Sequence, residues 1–321
     1  MQDDRSALDR VRQAVARAGR RISQAREEHL ARGQSSAPAP FVVGVGRSGT
    51  TLLRLILDAH PQLSLPPETG FLIPFLARGH GAMPGSREEL LATVTGFHTW
   101  PDFGITTGEY ERGLARIEPY DPAEGVRLFY RLYAARHGKA LWGDKTPAYG
   151  PYLEGLHRLL PEARFVHIFR DGRDVALSLS QVWFAPARDA AGLGRFWEQR
   201  FTEIRRAGRR VPHYLEVRYE DLVLAPRRTL EAICSFLDLP YHPALEAHSQ
   251  GAARRLAEVA DQRLPDGRII RRETRLFQQR HAVSPLDASL IGRFRREMTL
   301  RERRELEGVA GRLLFELGYE I

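Results

Sequence analysis

Gly44, Arg47, Gly49, Thr50 and Thr51 stand together between a short apolar run and a leucine-rich one, a placement suited to holding an anion. The stretch Phe41-Val-Val-Gly-Val-Gly-Arg-Ser-Gly-Thr-Thr-Leu-Leu53 reads as strand, glycine turn and helix. Such a turn aims free backbone N–H groups and a helix N-terminus at a phosphate or sulfate. Gly44 and Gly49 have the spacing of the Walker A glycines, and Thr51 fills that motif's hydroxyl position. The lysine position holds Thr50, and the loop carries its cation earlier, on Arg47. A nucleotide site follows, with ordinary magnesium–ATP chemistry disfavoured.

A second segment has a related layout. In Arg164-Phe-Val-His-Ile-Phe-Arg-Asp-Gly-Arg-Asp-Val-Ala-Leu-Ser-Leu-Ser180 a strand ends at Arg170, turns at Asp171-Gly172 and enters a helix that carries Ser178. A guanidinium at a strand's carboxyl end and a hydroxyl on the next helix can clamp phosphate oxygens, and open α/β sheets bind ligands at that edge. The residues alone leave a second account open, in which Arg170, Asp171, Arg173 and Asp174 form a solvated ion-pair cluster.

The elements around these segments must form a scaffold. Strands are expected at 41–45, 140–142, 164–169 and 213–218. Asp121 with Pro122 and Glu124 reads as a helix start, Val126, Phe129, Tyr130 and Tyr133 mark its buried face, and Gly138 ends it. Thr299 and Glu302 form a capping box ahead of Leu306, Val309, Leu313 and Leu317, with Gly318 as the stop. Strands alternating with helices predict an α/β fold, a mostly parallel central sheet flanked by helices in three layers. Residues 71–120, rich in glycine and proline, read as an irregular insertion on the substrate side, and 184–200 is expected to help shape the acceptor pocket. The segment 33–40 is a linker by composition. Residues 1–40 thus separate as a helical extension and linker from a domain at 41–321. Leu8, Val11, Val15, Ile22 and His29 make a narrow stripe in the extension, suited to lying on the domain or to pairing with a partner, a homodimer included; a partly ordered tail fits equally.

Composition excludes several function classes. With 321 residues, 43% hydrophobic and 27% charged, the chain can bury a full core and reads as soluble. No apolar run reaches the ~20 residues of a membrane span, and no hydrophobic signal segment opens the chain, so a cytoplasmic location is expected. The net charge of +8 comes almost wholly from arginine, Lys139 and Lys145 being the only lysines. No basic run with interleaved aromatics marks a nucleic-acid groove, so nucleic acid is not an expected partner. The single cysteine, Cys234, sits among apolar residues and reads as an inert core thiol. The eleven histidines show no ligand-type pairing, and His60, His80, His98 and His137 read as turn or surface residues, so no metal site is expected.

Taken together, the Gly-Arg-Ser-Gly-Thr-Thr loop and the later Arg-Asp-Gly-Arg-Asp-x3-Ser segment resemble the sulfotransferases that use 3′-phosphoadenosine 5′-phosphosulfate. Leu57-Asp-Ala-His-Pro61, Glu68-Thr69, Gly143-Asp-Lys-Thr-Pro147 and Val217-Arg-Tyr-Glu-Asp-Leu-Val223 extend the resemblance from Phe41 to the C-terminus. It is nearest to the bacterial branch and the tyrosylprotein sulfotransferases; the motifs are specific jointly and not singly. The resemblance implies a metal-free transfer in which fixed cations do the electrostatic work. It places Arg47 on the 5′-phosphosulfate, and Ser48, Gly49, Thr50 and Thr51 on the 5′-phosphate. Arg170 and Ser178 fall on the 3′-phosphate, Glu68 on the position of the general base, and Lys145 on the charge of the transferring group. The residues alone leave a second account open, with Glu68 a surface carboxylate or cap and Lys145 the partner of adjacent Asp144.

The chain also departs from that pattern. Gly46 replaces a proline, and Gly70-Phe-Leu-Ile73 follows Glu68-Thr69 where the tyrosylprotein branch has arginine. The second change favours an apolar or small acceptor over an acidic peptide. Arg280-His-Ala-Val283 replaces a lysine-bearing closing stretch, leaving Arg280 and His281 as candidate donor contacts. The expected activity is transfer of a sulfuryl group to an acceptor hydroxyl, less readily an amine, of a small molecule, glycan, lipid or peptide. A P-loop kinase or NTPase and a non-catalytic nucleotide-binding scaffold are the alternatives.

Overall fold

The computed structural model describes residues 37–79, 83–264 and 266–321. The N-terminal stripe and His80 lie outside the described residues. The central sheet has four parallel strands, β1 (Ala39–Val43), β4 (Asp144–Lys145), β5 (Ala163–Phe169) and β6 (Tyr214–Arg218), in the order β4-β1-β5-β6. β1 is buried along its whole length, as a parallel strand covered on both faces must be. Its alternation sends Ala39, Phe41 and Val43 into one core and Val42 into another. Val45, expected at the end of this strand, has left the sheet and packs with Phe169 and Trp197 in a third cluster.

One other expectation about the strands is corrected. Residues 141–142 form β3 (Leu141–Trp142), but it pairs with β2 (Leu63–Ser64) in a separate ribbon. The central sheet instead takes up the next residues, with Phe41 opposite Asp144 and Val42 opposite Lys145. Gly143 turns the chain between the two, where a Cβ would meet the Pro40 carbonyl oxygen at 2.6 Å.

Helix α1 (Thr50–Asp58) leaves the loop after β1 and is buried almost all round, which makes it a central helix. Its far end is tied down by Asp58, which accepts from Arg255 Nε at 2.6 Å, Arg255 Nη2 at 2.8 Å and the Leu65 amide at 2.9 Å. Burial alone would raise the Asp58 carboxyl; the bonds and charge of Arg255 and the charge of Lys139 override it and hold the group below its ordinary value. Helix α2 (Pro122–Arg136) starts as expected, with Asp121 accepting from the Ala123 amide, and covers the opposite face with Phe129, Tyr130 and Tyr133. Helix α3 (Gly172–Ser180) follows β5. Helix α4 (Ala190–Gly208) and the C-terminal helix α7 (Leu300–Glu316) pack with it around Trp197, Phe201 and Leu306. The Thr299–Glu302 capping box is present. Between α4 and α7 lie α5 (Ser249–Leu256), a hairpin of β7 (Gln262–Arg263) and β8 (Ile269–Ile270), and α6 (Arg272–Gln278).

Residues 71–120 are not an irregular insertion. They hold helices at Ile73–Leu76, Arg87–Thr95 and Thr107–Leu114, and Phe71, Leu90, Val94, Phe103 and Tyr110 from them are part of the core against α2. Phe71 meets Phe129 edge to face at 4.8 Å. Cys234 is buried, and its thiol is pushed up to about 11, as an inert core thiol requires. His60 is a turn residue but a buried one, its ring bonded to the Pro240 carbonyl. Among the described residues no helix is long and apolar enough to cross a membrane.

Candidate active site

The β1–α1 loop is built to bring backbone close to a ligand. Gly44 has φ +155°, and a Cβ there would lie 2.3 Å from the Ile168 carbonyl oxygen; at Gly49, φ +97°, it would strike the Tyr219 ring at 2.6 Å. Both positions therefore require glycine. Arg47 itself adopts φ 73°, an uncommon conformation for a residue with a side chain. Gly49 caps α1 without a side chain, so the first-turn amides of α1 have no side-chain acceptor. Ser48 Oγ is fully buried and also lacks a partner.

Arg47 reaches from this loop to two other elements. Its Nε donates to Ser178 Oγ on α3 at 3.0 Å, and its Nη2 donates to the Gln278 carbonyl at the end of α6 at 2.9 Å. Burial, then the like charges of Arg170 and Arg280, hold Arg47 below the ordinary arginine value, with Glu68 opposing. Arg170 lies over the Tyr219 ring at 4.4 Å, donates to Asp174 at 3.2 Å and to the Leu290 carbonyl, and keeps Nε buried without a partner. The solvated-cluster account of this segment fails: Arg170, Asp171, Arg173 and Asp174 are all buried. They also divide by role. Arg173 turns away to Asp171 and Glu307 and braces α3 against α7, whereas Arg170 lines a cavity.

On the other side of the loop, Lys145 donates to Glu68 at 2.5 Å and approaches Thr51 Oγ1 at 3.4 Å. The partner of Lys145 is thus Glu68 and not adjacent Asp144, because neighbouring residues of a strand face opposite ways. Lys145 is 2% exposed and Glu68 half exposed. Desolvation lowers the Lys145 ammonium below its ordinary value, against the charge and hydrogen bond of Glu68. Asp144 points to the α2 side, where Thr69 Oγ1 donates to it at 2.7 Å and the Tyr130 hydroxyl at 3.0 Å. The Thr69 amide donates to Thr146 Oγ1 at 3.0 Å, and Thr69 Oγ1 lies 2.9 Å from the Tyr149 hydroxyl. This buried network joins the residue after Glu68 to the residue before Lys145, and so fixes the backbone of the pair. Burial pushes Asp144 up to about 6, with the hydroxyls of Thr69, Thr146 and Tyr130 and the Lys145 charge working against the rise.

Two cavities meet at the loop. One, of about 100 Å³, is lined by Gly49, Arg170, Ser178, Tyr219, His281 and Arg293. The other, of about 440 Å³, takes in Glu68, Lys145, Arg54, His98, Trp183 and Phe184. Arg47, Thr50, Thr51, Gln278 and Gln279 belong to both and form the wall between them. His98, read from sequence as a turn or surface residue, lines the larger cavity, where burial and then the Arg275 charge lower its ring. Of residues 184–200, Phe184 lines that cavity, while α4 packs in the core. His281 reaches the smaller cavity; Arg280 is exposed and lies over Phe277 instead. Sequence reasoning missed Tyr219, Gln278, Gln279, Arg293 and Trp183. Only Tyr219 sat within a recognised motif, Val217–Val223, and that was its one available signal.

A glycine loop at the carboxyl edge of a parallel sheet, facing arginines and a hydroxyl on one side and a carboxylate–ammonium pair on the other, is the arrangement of a P-loop-like α/β protein. The chain belongs to the sulfotransferase family, whose pattern it matches over residues 38–243. It is 28% identical over 318 residues to the nodulation protein NoeE of Sinorhizobium fredii, covering 87% of this chain and 65% of NoeE. It is 27% identical over 223 residues to protein-tyrosine sulfotransferase 1 of Danio rerio, covering 66% of this chain and 56% of that protein. The chain thus spans less than two thirds of the length of these two relatives. The sulfotransferase domain of the Synechococcus PCC 7002 olefin synthase superposes with a TM-score of 0.55 at 24% identity, covering 90% of this chain and 97% of that domain, which shows the shared fold.

Proposed function

We propose that this protein moves a sulfuryl group from 3′-phosphoadenosine 5′-phosphosulfate to an acceptor hydroxyl. The observation that carries this reading is the shared wall: Arg47, Thr50 and Thr51 face a donor-side cavity holding Arg170 and Ser178 and an acceptor-side cavity holding Glu68 and Lys145. The residues present fit the donor. Arg170, on the wall of the smaller cavity, keeps Nε buried without a partner, and a phosphate oxygen would supply one. The bound donor supplies a sulfuryl group whose bond to the 5′-phosphate oxygen breaks as the acceptor oxygen bonds to sulfur.

The chain's own residues then have separable tasks. The α1 amides with Ser48, Thr50 and Thr51 hold the 5′-phosphate. Arg170 and Ser178 hold the 3′-phosphate, with Arg293 and His281 at the rim. Arg47 neutralises the charge that grows on the leaving phosphate oxygen. Glu68, held in place by the Lys145 ammonium, takes the acceptor's proton. Lys145, beside Thr51, faces the group in transit with the N–H that Glu68 and Thr51 leave over.

Thermal stabilisation tests this. 3′-Phosphoadenosine 5′-phosphate in the presence of EDTA is expected to raise Tm, because a ligand that binds only the native state stabilises it in proportion to its affinity. A shift with ATP and Mg²⁺ alone would replace sulfuryl transfer with a kinase or NTPase reading. Donor binding with no sulfated product from a broad acceptor panel would leave a binding scaffold.

A further inference from the structure

The acceptor-side cavity is charged at its junction with the donor side and carries an apolar patch beyond it, with His98, Gln262 and Arg275 also in its lining. At the junction stand the Glu68–Lys145 pair and Arg54, which is 1% exposed, donates to the Leu65 carbonyl at 3.0 Å and keeps Nη2 buried without a hydrogen-bond partner. Beyond it, Ile73, Phe97, Pro147, Ala148, Leu264 and Ile270 line the space. Where the cavity meets solvent stand Trp183 and Phe184, 39% and 44% exposed. Their rings lie edge to face with centroids 5.4 Å apart. Trp183 is the only exposed tryptophan of the four in the chain. Arg268 from the β7–β8 hairpin lies over it at 5.0 Å and joins the aromatic side of the opening to the hairpin side.

Three arginines near this opening are paired with carboxylates of their own neighbourhood. Arg268 pairs with Asp266 at 2.7 Å, Arg271 with Asp261 at 2.7 Å, and Arg275 reaches both oxygens of Asp102. Cations committed in this way offer little to an acidic chain, while adjacent solvent-exposed aromatics gain by being covered. A volume of about 440 Å³ lies in the range of pockets that enclose small molecules.

Resting on the transfer reaction above, we propose that the acceptor is a hydroxyl on a flat, uncharged, apolar small molecule, a phenol or fused-ring alcohol, gripped by Trp183 and Phe184, and not a tyrosine in an acidic peptide. Trp183 and Phe184 are then specificity-determining residues, absent from the chemistry itself.

Calorimetry with 2-naphthol and with a short acidic peptide carrying one tyrosine tests this, each titrated into the protein alone and into the protein saturated with 3′-phosphoadenosine 5′-phosphate. 2-Naphthol is expected to bind and the peptide not to. Trp183→Ala and Phe184→Ala should each weaken naphthol about tenfold, the scale of one lost aromatic contact, and Trp183→Phe should restore most of the loss. Nucleotide affinity should stay the same in all three variants, and KM for naphthol should rise more than kcat falls. Tighter binding of the peptide, no naphthol binding, or naphthol binding indifferent to both alanine variants would overturn the proposal. If the nucleotide itself fails to bind, the donor assignment falls, and the naphthol titration of the free protein still decides the acceptor class.

Discussion

Arg170→Ala isolates the proposed grip on the donor's 3′-phosphate. The guanidinium is held in advance by the Tyr219 face at 4.4 Å, by Asp174 at 3.2 Å and by the Leu290 carbonyl, with Nε still unpartnered. A charge-assisted bond from a preorganised arginine to phosphate contributes about 1.5–3 kcal/mol, a factor of about 10 to 150 in Kd. Asp174 keeps the amides of Gly292 at 2.8 Å and Phe294 at 2.9 Å after the change. The variant should therefore fold, losing about 1–2 kcal/mol in place of the larger cost of a bare buried charge. Titration calorimetry with 3′-phosphoadenosine 5′-phosphate and with 5′-AMP, which lacks only the 3′-phosphate, completes a double cycle. The wild type should prefer the bisphosphate; the variant should lose that preference and keep its affinity for AMP. Equal losses for both nucleotides, or an unchanged preference, would refute the assignment.

Glu68→Gln should lower kcat by about 10²–10⁴ and Lys145→Ala by about 10²–10³, both with nucleotide affinity retained; steady-state rates beside calorimetry check this, and a Glu68→Gln enzyme at wild-type speed would remove Glu68 as the base. Asp144 imposes a pH dependence on stability. Its folded value of about 6 exceeds the ordinary 3.8, so between the two the native state holds a proton that the unfolded chain has released, and stability falls as pH rises through that window. Asp144→Asn should flatten the fall by up to about 3 kcal/mol, read from urea midpoints between about pH 4 and 7; an unchanged slope would count against the assignment. Arg255→Ala strands the buried Asp58 with Lys139 and Arg54 as its remaining cations, and denaturant titration should show a loss of about 3 kcal/mol; a loss under about 1 would mean that these two suffice.

Both candidate anion-binding segments were legible because each is contiguous. Gly44 through Thr51 and Arg170 through Ser178 carry strand, turn and helix in one short run, so local spacing determined the geometry. Helix starts at Pro122 and Leu300 were legible for the same reason, their caps being local hydrogen bonds. Legibility failed where a partner lay far along the chain. Lys145 had a carboxylate next door in Asp144, and only the pleat of the strand reveals that the distant Glu68 is its partner. The helices between 73 and 114 run 4 to 9 residues, too short for a period to stand out among so many glycines and prolines. Trp183, Gln278 and Arg293 reach the cavities from loops and helix ends whose position only tertiary packing decides.

The pairing of β1 with β4 has a further consequence. It rests on two register pairs, Phe41 with Asp144 and Val42 with Lys145. Because side chains alternate, a slip of one residue would send the ammonium into the tyrosine-rich core and the carboxylate to the mouth of the phosphate loop. The sign of the charge beside the β1–α1 loop is thus a matter of parity in the short run from Ala140 to Gly143. Length changes of two residues there conserve it, and a change of one reverses it.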